Sequence, residues 1–230
     1  MAARLISLEG IDGSGKSTQA RMLSEALRAR GGEVVLTREP GGSPGAEEIR
    51  TLVLTGDPGR WSPETEICLF TAARRDHLER TIRPALARGA TVVTDRFADS
   101  TRVFQGVTRG DLRAVVDAVH DAVIGTEPDL SLVIDADPAE ALERSLARLQ
   151  GLPAPGPGEE PNPVALAEVA TREAAAREDR FERFGLALQE RVRDEFHALA
   201  AAHPGRVRLI DGSGAAEAVH ERVLAAVDAS

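Results

Sequence analysis

The 230-residue chain predicts an α/β fold, a five-stranded parallel sheet with helices on both faces. Three observations carry that reading. Short apolar runs rich in β-branched residues return at intervals, segments of helical length separate them, and the first run opens into a glycine-rich turn that leads directly into a helix.

The strands are read at Leu5 to Leu8, Val34 to Leu36, Thr91 to Val93, Leu130 to Ile134 and Val207 to Ile210. A helix-length segment between successive strands makes parallel pairing through crossovers the economical arrangement. The helix from Lys16 carries Ala20, Leu23 and Leu27 on one face and stops at Gly31 and Gly32. After Asp137, Pro138 takes the first helical position and Glu140 follows in a capping-box arrangement. GLPAPGPGEEPNP, Gly151 to Pro163, holds five prolines and three glycines, so it is neither regular helix nor central strand. Only one strand follows it, too little for a second core. The chain therefore reads as one domain, 1–230, with a lid and a proline-rich insertion at about 145–180.

A formal charge of -9, from 28 basic and 37 acidic residues, argues against nucleic acid or an anionic membrane as the main partner. Cys68 is the only cysteine, which excludes an intrachain disulfide, and its setting, ICLFTAA, reads as a buried helix face. The opening MAARLISLEG meets the glycine-rich turn before it reaches signal-peptide length, and no later run approaches about 18 apolar residues. The expectation is a soluble cytoplasmic protein. His77, His120, His197, His203 and His220 lack metal-ligand spacing and are read as surface or satisfied residues. Trp61 is read as a packing or dimer-contact residue.

The chemistry starts at GIDGSGKST, Gly10 to Thr18, which fits G-x-x-x-x-G-K-[ST] between a predicted strand and a predicted helix. There, backbone N–H groups and the helix N-terminus surround a β-phosphate, Lys16 reaches the β and γ oxygens, and Ser17 binds Mg²⁺. Lys16 is the only lysine among the 28 basic residues. Arginine serves wherever a generic cation suffices, whereas inside the loop a compact ammonium fits and a planar guanidinium is too large. The absence of any second lysine also rules out the N-K-x-D of a guanine-reading switch. A kinase needs instead a second set of arginines to hold an acceptor phosphate against the donor.

Such a set is present. In LEGIDGSGKST, TREPGG at Thr37 to Gly42, LFTAAR at Leu69 to Arg74 and DRFADSTRVFQG at Asp95 to Gly106, taken in this order and spacing, the chain resembles the thymidylate kinase (dTMP kinase) family of P-loop nucleoside monophosphate kinases. The resemblance covers most of the chain outside the proline-rich loop. It implies the P-loop kinase fold, ATP-dependent phosphorylation of dTMP to dTDP, Mg²⁺ and a homodimer. A deoxynucleoside kinase acting on an uncharged nucleoside is the runner-up, and an ATP-binding regulatory protein without turnover is the alternative of another class; Lys16, Ser17 and Asp95 together argue against the latter.

By that resemblance, Gly10, Ile11, Asp12, Gly13, Ser14, Gly15, Lys16, Ser17 and Thr18 bind ATP. Phe70 stacks on thymine, Arg74 bonds its edge, and Thr101 and Gln105 contact the base. Asp12 meets the deoxyribose 3'-hydroxyl, with Glu39 near the sugar. Phe104 keeps the bulk that excludes a ribose 2'-hydroxyl, although the family often has tyrosine there and at Phe97. Arg96 binds the acceptor phosphate, Arg38 and Arg50 are further anion contacts, and Asp95, at a strand end, lies near Mg²⁺ beside Ser17. The family's basic lid joins the helix holding Arg144 and Arg148 to a D-R-x-E segment, matched here by Asp179, Arg180 and Glu182. The insertion between them has an acidic tip, so transition-state charge falls to Arg148 and Arg180, with Arg177 and Arg144 as weaker candidates.

Overall fold

The computed structural model describes residues 3–57, 59–107, 110–150 and 185–230. The segment that carries the proline-rich stretch, Arg177 and Arg180 lies outside the described residues.

Five strands, β1 (Leu5–Glu9), β2 (Val34–Arg38), β3 (Thr91–Asp95), β4 (Leu130–Asp135) and β5 (Val207–Asp211), form one sheet in the order β2-β3-β1-β4-β5. Every adjacent pair is parallel. Each expected strand is present, a residue or two longer at its carboxyl end. β1 is buried at every position, whereas the edge strands β2 and β5 expose Leu36 and Leu209. A central strand covered by helices on both faces needs apolar residues throughout, and an edge strand does not.

The helices in chain order are α1 (Lys16–Ala29), α2 (Pro44–Leu54), α3 (Pro63–His77), α4 (Arg83–Ala87), α5 (Ala98–Phe104), α6 (Arg113–Val123), α7 (Pro138–Gln150), α8 (Leu186–Ala202) and α9 (Ala216–Asp228), with a π-helical turn, Leu78–Ile82, joining α3 to α4. Ala20, Leu23 and Leu27 of α1 enter the core with Ile6, Leu8 and Ile134, as the 3.6-residue spacing of that helix requires. Its chain reverses at Gly31, φ 85°. No helix among the described residues is long and apolar enough to cross a membrane.

Two local expectations are corrected. Cys68 is exposed; the buried face of α3 runs through Ile67, Thr71, Arg74 and His77, and Cys68 falls off that stripe. At α7, Asp137 caps the helix by accepting from the N–H groups of Ala139 and Glu140, while the Glu140 carboxylate turns outward to Arg144 instead of closing a capping box.

Candidate active site

The site forms at the carboxyl ends of β1, β3 and β2, where the connections leaving β1 and β3 run to opposite sides of the sheet. Such a crevice is the standard ligand position in open parallel sheets. The phosphate loop wraps the end of β1 with its backbone pressed against the fold: a Cβ on Gly13 would lie 1.8 Å from the Ala141 carbonyl oxygen, and one on Gly10 would lie 2.7 Å from that of Ile134. Both glycines also hold φ in the left-handed region, 82° and 134°. Ile11, Ser14, Gly15 and Thr18 complete the loop and the first turn of α1. Arg144 Nε donates to the Gly13 carbonyl at 3.0 Å, and the Asp12 N–H donates to Gln189 Oε1 at 3.3 Å, so α7 and α8 brace the loop.

Lys16 is buried, and its ammonium donates to the Ile11 carbonyl at 3.1 Å and to Asp12 Oδ1 at 3.2 Å. Arg96 Nη2 meets the same Asp12 oxygen at 2.6 Å, its Nη1 reaches the Gly10 carbonyl at 3.1 Å, and its guanidinium stacks over Phe104 at 4.9 Å. Burial alone would raise the Asp12 carboxyl, but Arg96 and Lys16 pull it well below the usual carboxylate range. Lys16 is shifted down, by burial first and by the Arg96 charge second. One carboxylate thus holds two cations side by side.

Ser17 donates its hydroxyl to Asp95 Oδ2, and Asp95 Oδ1 is buried with no partner among the described residues. An unpaired carboxylate oxygen beside a hydroxyl is a hard oxygen set that fits Mg²⁺, which keeps much of its water and takes few protein ligands. No group of three or more His, Cys, Asp or Glu among the described residues is placed to hold a metal.

One cavity of about 370 Å³ opens beside these groups. Every side chain that the resemblance places against the acceptor lines it: Asp12, Arg38, Glu39, Arg50, Phe70, Arg74, Arg96, Thr101, Phe104 and Gln105, and so do Lys16, Ser17 and Asp95. Arg148 lines it too, from α7. The chain at residues 8–151 matches the family model described as Thymidylate kinase. The protein belongs to the thymidylate kinase family. Relatives named thymidylate kinase include one from Dinoroseobacter shibae, 59% identical over 91% of this chain and 89% of that relative, and one from Jannaschia sp. (strain CCS1), 55% identical over 95% and 93%. A crystal structure of thymidylate kinase from Ehrlichia chaffeensis matches with a TM-score of 0.70 at 29% identity, covering 99% of both chains.

Within this thymidylate kinase framework several side chains stand differently from their sequence reading. Glu39 lines the cavity, yet both of its oxygens are engaged: Arg74 Nε donates to one at 2.7 Å and His77 Nδ1 meets the other at 3.0 Å. Arg38 is exposed and pairs with Glu47 at 3.2 Å, while Arg50 donates to the Pro40 carbonyl at 2.8 Å. Phe97 is wholly buried and lies under the Arg74 guanidinium, where a tyrosine hydroxyl would need its own partner.

Glu9 was not legible as part of the site. Fully buried at the end of β1, it accepts from the Phe97 N–H at 2.8 Å and from the Ser100 hydroxyl at 2.5 Å, directly behind Arg96. Burial and the neighbouring Asp99 charge push its carboxyl up to about 8. An acidic residue closing a largely apolar strand, LISLE, was the available signal.

Proposed function

We propose that this chain is a thymidylate kinase that moves the γ-phosphoryl group of ATP to the phosphate of dTMP, giving dTDP and ADP. The observation that carries the reading is the Asp12 carboxylate, which seats Lys16 of the phosphate loop and Arg96 of the β3 end on one oxygen. A donor phosphate bound by the loop and an acceptor phosphate bound by Arg96 then meet across that point. Loss of translational and rotational freedom on binding supplies much of the rate.

A phosphate monoester has a second pKa of about 6, so the attacking oxygen is already ionised at neutral pH and no side chain has to remove a proton. The acceptor oxygen bonds to the γ-phosphorus as the bond to the bridging oxygen breaks, and ADP leaves with the electron pair. What the chain contributes is charge and alignment. Lys16 and Arg96 neutralise the phosphoryl oxygens, and Arg148 reaches the same cavity from α7, with Arg180 assigned to the lid from sequence. Ser17 and Asp95 would hold Mg²⁺, which when bound supplies further charge neutralisation on the transferred phosphoryl. Phe70 offers a flat apolar face to the thymine ring, Arg74 a donor to its edge, and Phe104 fills the space beside the sugar. Thr101 and Gln105 complete the base contacts, and Arg38 and Arg50 contribute positive charge at the mouth. The same reading has the chain working as a homodimer, which light scattering of the purified protein tests.

Release of ADP, followed with dTMP, dUMP, thymidine or no acceptor, is the deciding assay. Turnover that requires the nucleoside monophosphate and favours dTMP is expected. Equal turnover with thymidine would make the protein a nucleoside kinase, and none with any acceptor would leave a nucleotide-binding protein without phosphotransfer.

A further inference from the structure

Arg74 is buried, and its guanidinium is held on three sides. Nε donates to Glu39 Oε2 at 2.7 Å, Nη2 donates to the Phe97 carbonyl at 3.1 Å and to Thr101 Oγ1 at 3.0 Å, and its plane lies over the Phe97 ring. No described residue bonds Nη1, so that end is left to the cavity that Arg74 lines.

Behind Glu39 stands His77, with no exposed surface and a bond at each ring nitrogen. Nδ1 lies 3.0 Å from Glu39 Oε1, and Nε2 lies 2.7 Å from Thr37 Oγ1. Glu39 Oε1 is an acceptor for an N–H at Nδ1, and Nε2 faces the Thr37 hydroxyl, a group that can both donate and accept. Thr37, His77, Glu39 and Arg74 thus form one continuous row of polar contacts that ends on the guanidinium. The backbone makes room for it: a Cβ on Gly42 would lie 2.4 Å from both His77 Nε2 and Thr37 Oγ1, which is a reason for glycine in the TREPGG segment.

We propose that His77 and Glu39 are positioning residues for base selection: they fix Arg74 so that it presents an N–H donor to the ring, favouring a pyrimidine with a carbonyl at the 4-position over one with an amine. The proposal rests on the reading of Arg74 as the base-edge contact. Each Glu39 oxygen is engaged, one by Arg74 and one by His77, so the carboxylate serves to hold the guanidinium. A side chain merely filling space behind the pocket would not distinguish the two rings. A buried donor facing a donor loses its bond and gains none, the kind of mismatch that gives strong discrimination.

The test compares dTMP with dCMP as acceptors at saturating ATP, in the full-length protein and in His77→Leu, His77→Asn, Glu39→Gln and Arg74→Ala. Asparagine places an amide N–H where His77 Nδ1 stands, so it keeps the bond to Glu39 and gives up the one to Thr37. His77→Leu and Glu39→Gln are expected to raise the KM for dTMP about tenfold and to shrink the dTMP to dCMP ratio of kcat/KM by at least about tenfold, with kcat and the KM for ATP near their original values. His77→Asn is expected to restore most of both. If His77→Leu does not fold, Glu39→Gln and His77→Asn carry the same comparison. An unchanged ratio in Glu39→Gln and His77→Leu, alongside a collapsed one in Arg74→Ala, would overturn the proposal and leave Arg74 as the base contact. A ratio unchanged in Arg74→Ala as well would overturn both.

Discussion

Arg96 Nη2 lies 2.6 Å from Asp12 Oδ1, an ion pair that joins the end of β3 to the phosphate loop across 84 positions of sequence. Lys16 shares the same oxygen at 3.2 Å. Asp12→Asn keeps the shape and removes the charge, so the two cations repel and separate. Since misplacement by about 1 Å can cost roughly a hundredfold, kcat/KM for dTMP is expected to fall by about that factor. A steady-state comparison with the original protein reads it, and a change smaller than about threefold would mean that the pair does not align the substrates.

Lys16→Arg keeps the charge but brings a planar fork into a space closed by the Ile11 carbonyl and Asp12. Turnover is expected to drop by at least about a hundredfold, equivalent to about 2.7 kcal/mol in the barrier, with an unchanged far-ultraviolet circular dichroism spectrum. Near-normal turnover would show that any cation serves.

For the lid side of the reaction, Arg148→Ala and Arg180→Ala are expected to lower kcat by about a hundredfold while dTMP affinity, measured by calorimetry, barely moves. Arg148 is exposed and reaches the cavity, as a residue that meets charge late in the reaction would. A loss confined to dTMP affinity would instead make Arg148 a ground-state contact.

A pocket that senses only the 5-methyl group gains about 1 to 3 kcal/mol, so dTMP is expected to exceed dUMP in kcat/KM by roughly 10-fold to 200-fold. Equal efficiency would remove Phe70 and its surroundings as a methyl-sensing wall.

Glu9 makes stability depend on pH. Its carboxyl is raised from 4.5 to about 8, by burial first and then by Asp99, against the opposing pull of Ser100, Arg96 and the Phe97 N–H. Between those two values the folded protein keeps a proton that the unfolded chain has released. Its stability therefore falls as pH rises through that window and levels off above it. Depressed carboxylates such as Asp12 and Asp99 act in the opposite sense, at lower pH. Urea unfolding of Glu9→Gln against the original protein isolates the Glu9 contribution. The variant should gain relative stability from pH 5 to pH 8, and a constant difference across that range would show that Glu9 titrates normally in the fold.

Much of this molecule was legible in its sequence, because the signals are local. Five short β-branched runs separated by helical lengths predict five parallel strands, and all five are present with their order in the chain intact. The phosphate loop is a contiguous motif whose glycines answer to local backbone geometry, and its lone lysine was conspicuous by composition alone. The residues that the resemblance assigns to the acceptor come from short segments, and they line one cavity.

Tertiary structure alone decided what those side chains do to one another. That Asp12 would seat both Lys16 and Arg96, that Glu39 would turn inward to Arg74 and His77, and that Glu9 would stand behind Arg96 all depend on bringing β1 between β3 and β4. Cys68 was misjudged for the same reason: apolar neighbours in sequence do not say which stripe of a helix meets the sheet. Periodicity is a property of one segment, and it specifies where the backbone goes. A buried charge takes its partner from whichever segment packs against it, so its role is set by contacts between residues far apart in the chain.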